Sequence, residues 1–342
     1  MTQIHFVKTV DTPPPTLAAW REQVQSYQHE PEQSFAQTTA TLVDSPIISL
    51  IGHTPLVRLA RVTARLPAAV ALYMKLEGLN PGGSVKDRAA LSIVSTALHS
   101  GDLRSGKTLI DATSGNTGIA YAMLGAALDF PVRLVLAADA SPERLQILRA
   151  YGAQLTLSNP ETGAEGARQS AREIVAAEPD RYFYADQYNN PANPLAHTLT
   201  TGPELWQQTQ GHITHFVAGM GTSGTMMGVS RYLREQNSTI HFLGVQPDRA
   251  RHGIAGLKHF ATATVPTIYD PSLVDQIAEV HTEEAEAMSR QLARQEGLFV
   301  GVSSGAAVVA ALRLAQSLET GTIVALLPDG GYKYTSAPFW TE

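Results

Sequence analysis

Residues 108–128 read T-L-I-D-A-T-S-G-N-T-G-I-A-Y-A-M-L-G-A-A-L, and this stretch decides the fold class. Thr108 to Ala112 is a compact apolar run of strand character, Thr113 to Gly118 is a glycine-rich turn, and Ile119 to Leu128 has helical character. Outward from it the same alternation returns. Val132 to Ala137 reads as the next strand, and Ser141-Pro142 supplies a cap and a first-turn proline for a helix over Glu143 to Tyr151 that Gly152 ends. His215 to Ala218, Ile240 to Val245 and Ile323 to Leu327 repeat the theme. Strands alternating with helices predict an α/β protein: two three-layer α/β/α domains with mainly parallel twisted sheets.

The pattern breaks at N-N-P-A-N-P, residues 189–194, which places the expected boundary between residues 46–190 and 191–342. Residues 1–45 form an extension of different composition, with Pro13 to Pro15 followed by a polar stretch. Thr16 to Tyr27 fits a short amphipathic helix with Leu17, Trp20 and Val24 on one side; a packed appendage and a partly disordered terminus are both open.

The 342 residues, 44% hydrophobic and 16% charged, suffice for a large buried core. A net charge of -6 without a basic stripe argues against nucleic acid as a partner. The absence of cysteine excludes disulfides, thiolate-bound metal and a cysteine nucleophile. His5 and Lys8 interrupt any signal-peptide core, and no run is long enough to span a membrane, so a cytoplasmic location is expected.

Lys75 to Arg88, K-L-E-G-L-N-P-G-G-S-V-K-D-R, sets a lysine in an unusual place. A short strand over Leu72 to Glu77 runs into a turn, and Ser84 is a candidate cap for the helix that follows. Lys86 then falls on the first helical turn, where the positive end of the macrodipole disfavours it. Either Lys86 is a reactive centre or it is a surface lysine paired with Asp87.

Gly219-Met220-Gly221-Thr222-Ser223-Gly224-Thr225 lies between a strand and the helix Met226 to Glu235. Glycine-exposed amides and hydroxyls at a helix start make an anion cradle suited to phosphate. A dinucleotide fold is the rival, but it needs an acidic residue where the next strand ends, and that residue is Gln246. Gly301-Val302-Ser303-Ser304-Gly305 matches the hydrolase nucleophile elbow, yet no histidine follows His281 to complete a triad. A helix cap and a hydrogen bond from Ser303 to a bound ring stay open. His212 and His215 stand without nearby carboxylates, so no metal site is expected.

A reactive lysine, a phosphate cradle and a serine facing a ring together describe a pyridoxal phosphate site. S-V-K-D-R, T-S-G-N-T-G, G-T-S-G-T and G-V-S-S-G-A occur here in the order found in the cysteine synthase family of fold type II pyridoxal phosphate enzymes. The resemblance runs from about Ser49 to Ser336 and is nearest to the cysteine synthase B branch, through A-Y-G-A at Ala150 to Ala153, E-G-A-R at Glu165 to Arg168 and T-T-G-P-E-L-W at Thr200 to Trp206. It implies a tryptophan synthase β-like fold and a homodimer.

By the same resemblance Lys86 would carry the cofactor and act as the catalytic base, and Asn116 would bond its ring hydroxyl. Gly221, Thr222, Ser223, Gly224 and Thr225 would bind its phosphate, and Ser303 would meet the ring nitrogen. Thr113, Ser114, Gly115 and Thr117, with Gln187, would grip the substrate carboxylate. The implied reaction is β-replacement on an activated L-serine, O-acetyl-L-serine by preference, through an aminoacrylate that sulfide or thiosulfate attacks to give L-cysteine or S-sulfocysteine. A neutral serine at the ring nitrogen weakens the electron sink and favours prompt elimination over lingering carbanion chemistry.

The chain departs from that branch at Gly256-Leu257-Lys258-His259-Phe260, where the branch is arginine-rich. Lys258 there is either an anion contact for the substrate or a solvated lysine. Asp329 to Tyr334 looks nearer to the relatives that use O-phospho-L-serine. The other class of reading is a non-catalytic relative kept as a binding or regulatory protein.

Overall fold

The computed structural model describes residues 7–8, 45–113, 115–137, 141–159 and 163–341. The amphipathic helix expected over Thr16 to Tyr27 lies outside them. Strands β1 (Val7–Lys8), β2 (Leu56–Arg58) and β3 (Val70–Leu76) come first. Then follow helix α1 (Lys86–Ser100), β4 (Thr108–Ala112), α2 (Asn116–Leu128), β5 (Val132–Ala137), α3 (Pro142–Ala150), β6 (Gln154–Ser158), α4 (Gly163–Ala177) and β7 (Tyr182–Tyr184). The remainder contains α5 (Ala192–Ala196), α6 (Gly202–Gln208), β8 (His215–Gly219), α7 (Gly224–Gln236), β9 (His241–Pro247), β10 (Gln276–Val280), α8 (Thr282–Gln291), α9 (Val302–Gln316) and β11 (Gly321–Leu327). Among the described residues no helix is long and apolar enough to cross a membrane.

Two compact units result. One contains residues 45–51 and Asn80–Asn193, and the other residues 7–8, Gly52–Leu79 and Pro194 onward. The first has a four-stranded parallel sheet of order β6-β5-β4-β7. Alternate side chains of its strands point to opposite faces. Leu109, Leu134 and Leu136 pack with Ile119 and Leu124 of α2 and Ile93 of α1, while Ile110, Ala112 and Val135 pack with Ala167 and Ala171 of α4. Burial on both faces explains why β4 reads as an unbroken apolar run, with Asp111 its single exception.

The second unit has a seven-stranded sheet of order β1-β10-β9-β8-β11-β3-β2, parallel throughout its interior with β1 and β2 antiparallel at its edges. Here the structure corrects the expected boundaries. Residues 46–190 do not stay together, because β3 pairs in parallel along its whole length with β11, from Gly321 opposite Val70 to Leu327 opposite Leu76. A buried charge ties the same strand to α6. The fully buried Lys75 ammonium donates to the Thr54 carbonyl at 2.7 Å, to Gln208 Oε1 at 2.9 Å and to Glu204 Oε2 at 2.5 Å, which uses all three of its protons. Its charge is thereby fully compensated, the condition under which a lysine tolerates such burial.

Candidate functional site

In the first unit, Lys86 opens α1 and is half-buried. Its backbone N–H donates to Ser84 Oγ at 3.2 Å, but the cap position is Val85, which makes no side-chain cap bond, and not Ser84 as expected. The exposed pairing of Lys86 with Asp87 is overturned. Asp87 is fully buried and faces back into the turn, accepting the Gly82 N–H on Oδ2 at 2.5 Å. One carboxylate thus pins the P-G-G turn against the helix that Lys86 begins.

The chain leaves the C-terminal end of β4 through Thr113 and Gly115 into α2, and leaves the same end of neighbouring β7 toward Gln187. Loops at the carboxyl ends of parallel strands are where α/β proteins collect ligand groups. These two loops meet. Thr117 Oγ1 donates to Gln187 Oε1 at 2.6 Å, and Asn193 Nδ2 donates to the Gln187 carbonyl at 2.7 Å. Thr117 and Gln187 are each 3% exposed. With its oxygen taken by Thr117, the Gln187 amide keeps its N–H donors for another acceptor, and a carboxylate is the complementary group. Asn116 is half-buried at the first position of α2, and Ser114 lies outside the described residues. A Cβ on Gly115 would lie 3.7 Å from the guanidinium carbon of Arg144, so that arginine stands directly over the loop.

In the second unit, the loop after β8 enters α7 through Ser223, held in the left-handed region at φ 67°. Ser223 gives this helix no side-chain cap, Thr222 Oγ1 accepts the Gly224 N–H at 3.3 Å, and Thr222, Ser223 and Thr225 are all buried. Glycine is required at 221, because a Cβ there would collide with the Gly256 carbonyl oxygen. His197, which the sequence reading missed, sits 1% exposed with Nε2 3.2 Å from Thr225 Oγ1 and Nδ1 2.9 Å from Thr201 Oγ1. It belongs to a π-helical turn, His197–Thr201, an arrangement frequent at functional positions.

Lys258 is joined to this loop through its backbone, its N–H donating to the Met220 carbonyl at 2.9 Å. Its ammonium donates to the Thr264 carbonyl at 3.1 Å. Ser303 is the second residue of α9 and 4% exposed, and among the described residues its hydroxyl has no hydrogen-bond partner. The bridge between Val300 and Gly330 sets the start of α9 beside the segment that follows β11. Both the β8 loop and Ser303 therefore lie at the C-terminal edge of this sheet.

Each in its own unit, an amine at a helix start, a loop of backbone N–H groups with buried hydroxyls, and a buried serine hydroxyl are the kinds of group that the carbonyl carbon, the phosphate and the ring nitrogen of pyridoxal phosphate would need. The start of α7, where Ser223 provides no side-chain cap, is where an anion would sit.

Comparison with known proteins gives the same chemistry. The chain is 49% identical over 301 residues to a cysteine synthase of Aquifex aeolicus, covering 86% of this chain and 92% of that one. It is 48% identical over 291 residues to cysteine synthase B of Pseudomonas aeruginosa, covering 85% and 96%. Its fold superposes on the crystal structure of the cysteine synthase (OASS) of Entamoeba histolytica with a TM-score of 0.83 at 36% identity, covering 86% and 90%. Residues 47–329 match the model of the pyridoxal-phosphate dependent enzymes, and the chain belongs to that family.

Proposed function

We propose that the protein is a cysteine synthase, which replaces the β-substituent of an activated L-serine by sulfur to give L-cysteine or S-sulfocysteine. The observation that carries this reading is the Thr117–Gln187 pair, which presents amide donors beside the T-S-G-N-T-G loop, as recognition of an amino-acid carboxylate requires. The relatives' names, cysteine synthase and cysteine synthase B, support the reaction.

When bound, the cofactor withdraws electrons from the amino acid so that its α-proton and β-substituent leave. Lys86 would hold the cofactor, and its Nζ would accept the α-proton of the substrate. Asn116 would bond the ring hydroxyl, Gly221 to Thr225 would receive the phosphate, and Ser303 would offer a neutral partner to the ring nitrogen. Thr113, Ser114, Gly115, Thr117 and Gln187 orient the substrate carboxylate, and Lys258 borders the sulfur donor's path. The leaving group departs before sulfur enters, so the kinetics are ping-pong. A homodimer in the cytoplasm completes the reading.

O-Acetyl-L-serine is the preferred donor. O-Phospho-L-serine is the second reading, favoured by the guanidinium of Arg144 over Gly115. The deciding experiment supplies each ester separately to the pyridoxal-phosphate-loaded protein, with sulfide or thiosulfate, and measures cysteine and S-sulfocysteine. A colourless protein that forms neither product sinks the reading; equal rates with the two esters remove the preference for the acetyl ester.

A further inference from the structure

β4 carries a single carboxyl, Asp111, only 1% exposed among apolar neighbours. A carboxyl in that position needs partners, and those of Asp111 lead toward the substrate loop. Oδ1 accepts the Ala112 N–H at 2.8 Å, and Oδ2 accepts the Gln187 N–H at 3.4 Å. The Tyr121 hydroxyl of α2 stands near the same carboxyl and favours its ionised form. Gln187 is thus held at its N–H by Asp111, at its carbonyl by Asn193 and at its side-chain oxygen by Thr117. Ala112, the other residue that Asp111 fixes, directly precedes Thr113.

We propose that Asp111 is the positioning residue of the carboxylate grip, setting from beneath both the backbone of Gln187 and the start of the Thr113–Thr117 loop. The proposal rests on the reading in which Gln187 meets the amino-acid substrate.

Its charge adds a second consequence. Burial pushes the Asp111 carboxyl up to about 7; the Ala112 N–H opposes this and Asp186 reinforces it. Around it stand Tyr121 of α2, Tyr184 at the end of β7, and Asp186 and Tyr188 in the loop beyond, with Arg168, Arg172 and Glu165 of α4 behind the tyrosines. Near neutral pH the carboxyl therefore changes charge beneath an anionic ligand group. A proton on Asp111 removes like-charge repulsion, so affinity for the substrate carboxylate falls as pH rises through about 7.

The test uses the cofactor-loaded enzyme and L-alanine, an amino acid with no β-leaving group, its binding read from the cofactor's absorbance between pH 6 and 8. Asp111→Asn keeps the size of the side chain but turns an NH2 toward one of the two N–H groups that need an acceptor. It is expected to raise KM for the amino-acid donor roughly tenfold while kcat changes less than about threefold, the loss of one hydrogen bond to a charged group. The cofactor spectrum stays that of the wild type, and the ratio of wild-type to variant affinity for L-alanine declines with rising pH. Tyr121→Phe keeps the carboxyl but removes a nearby hydroxyl dipole that favours its ionised form, so it moves the wild-type midpoint to higher pH; it decides the matter if Asp111→Asn does not fold. Gln187→Ala tests the underlying reading, which fails if L-alanine affinity and KM are unchanged. If Gln187→Ala weakens binding while Asp111→Asn binds like wild type, or while the Tyr121→Phe midpoint stays in place, the role of Asp111 is overturned on its own.

Discussion

The Thr117 hydroxyl donates to the Gln187 side-chain oxygen at 2.6 Å across 70 positions of chain, and this bond decides which way the amide points. Thr117→Val preserves shape and removes the donor. KM for the amino-acid ester should rise about tenfold, the value of one buried hydrogen bond, with the cofactor spectrum unaltered. Steady-state kinetics against the ester at saturating sulfide check this.

Lys86 begins α1 at the end of a turn that Asp87 pins. Lys86→Ala should abolish the cofactor's yellow colour and lower kcat by about a hundredfold or more, as loss of a general base does. Borohydride reduction followed by mass spectrometry should add the cofactor's mass to the wild type and leave the variant unmodified.

Gly221→Ala brings a methyl group against the Gly256 carbonyl, which is backbone and not a flexible side chain. Overpacking of this kind costs about 1–3 kcal/mol, so cofactor affinity should fall roughly 10- to 100-fold. Titration of the cofactor-free protein with pyridoxal phosphate measures it.

Lys75 and Glu204 are the buried ion pair that joins β3 to α6. Lys75→Met takes the cationic partner from Glu204, which keeps the His53 N–H, and should destabilise the fold by about 3–5 kcal/mol. Adding Glu204→Leu should recover part of that loss, because the orphaned charge goes with it. Urea midpoints of the two variants distinguish these outcomes.

His215 stacks on His241 with ring centroids 5.3 Å apart. Burial, and then the neighbouring ring, lower its pKa from 6.5 to about 4. Between those values the unfolded chain binds the extra proton, so stability rises with pH. The contribution is complete above about 6.5 and is lost as pH falls toward 4. His215→Phe should flatten this part of the curve of denaturation midpoint against pH.

Local pattern was enough to find β4 and α2, the turn between them and the loop before α7, because each depends on neighbours within a few residues. The partner of β3 was hidden, since nothing near Leu72 identifies β11 as the strand beside it. His197 was missed for the same reason: its link to Thr225 spans 28 positions, and its spacing to Thr201 says nothing of the phosphate loop. Asp111 did leave a signal in the sequence. A carboxyl inside an otherwise apolar parallel strand is unfavourable unless something binds it.

The pairing of β3 with β11 also sets the order of events during synthesis. When a ribosome has released the first two hundred residues, β3 has no neighbour on the β11 side, and Lys75 waits for Glu204 and Gln208. The four-stranded sheet of residues 80–193, by contrast, has its whole set of strands. Long-range parallel pairing is slow and leaves apolar edges open to other chains. Chains truncated before Gly321 should therefore be the aggregation-prone species in the cell, with residues 70–76 as the exposed edge.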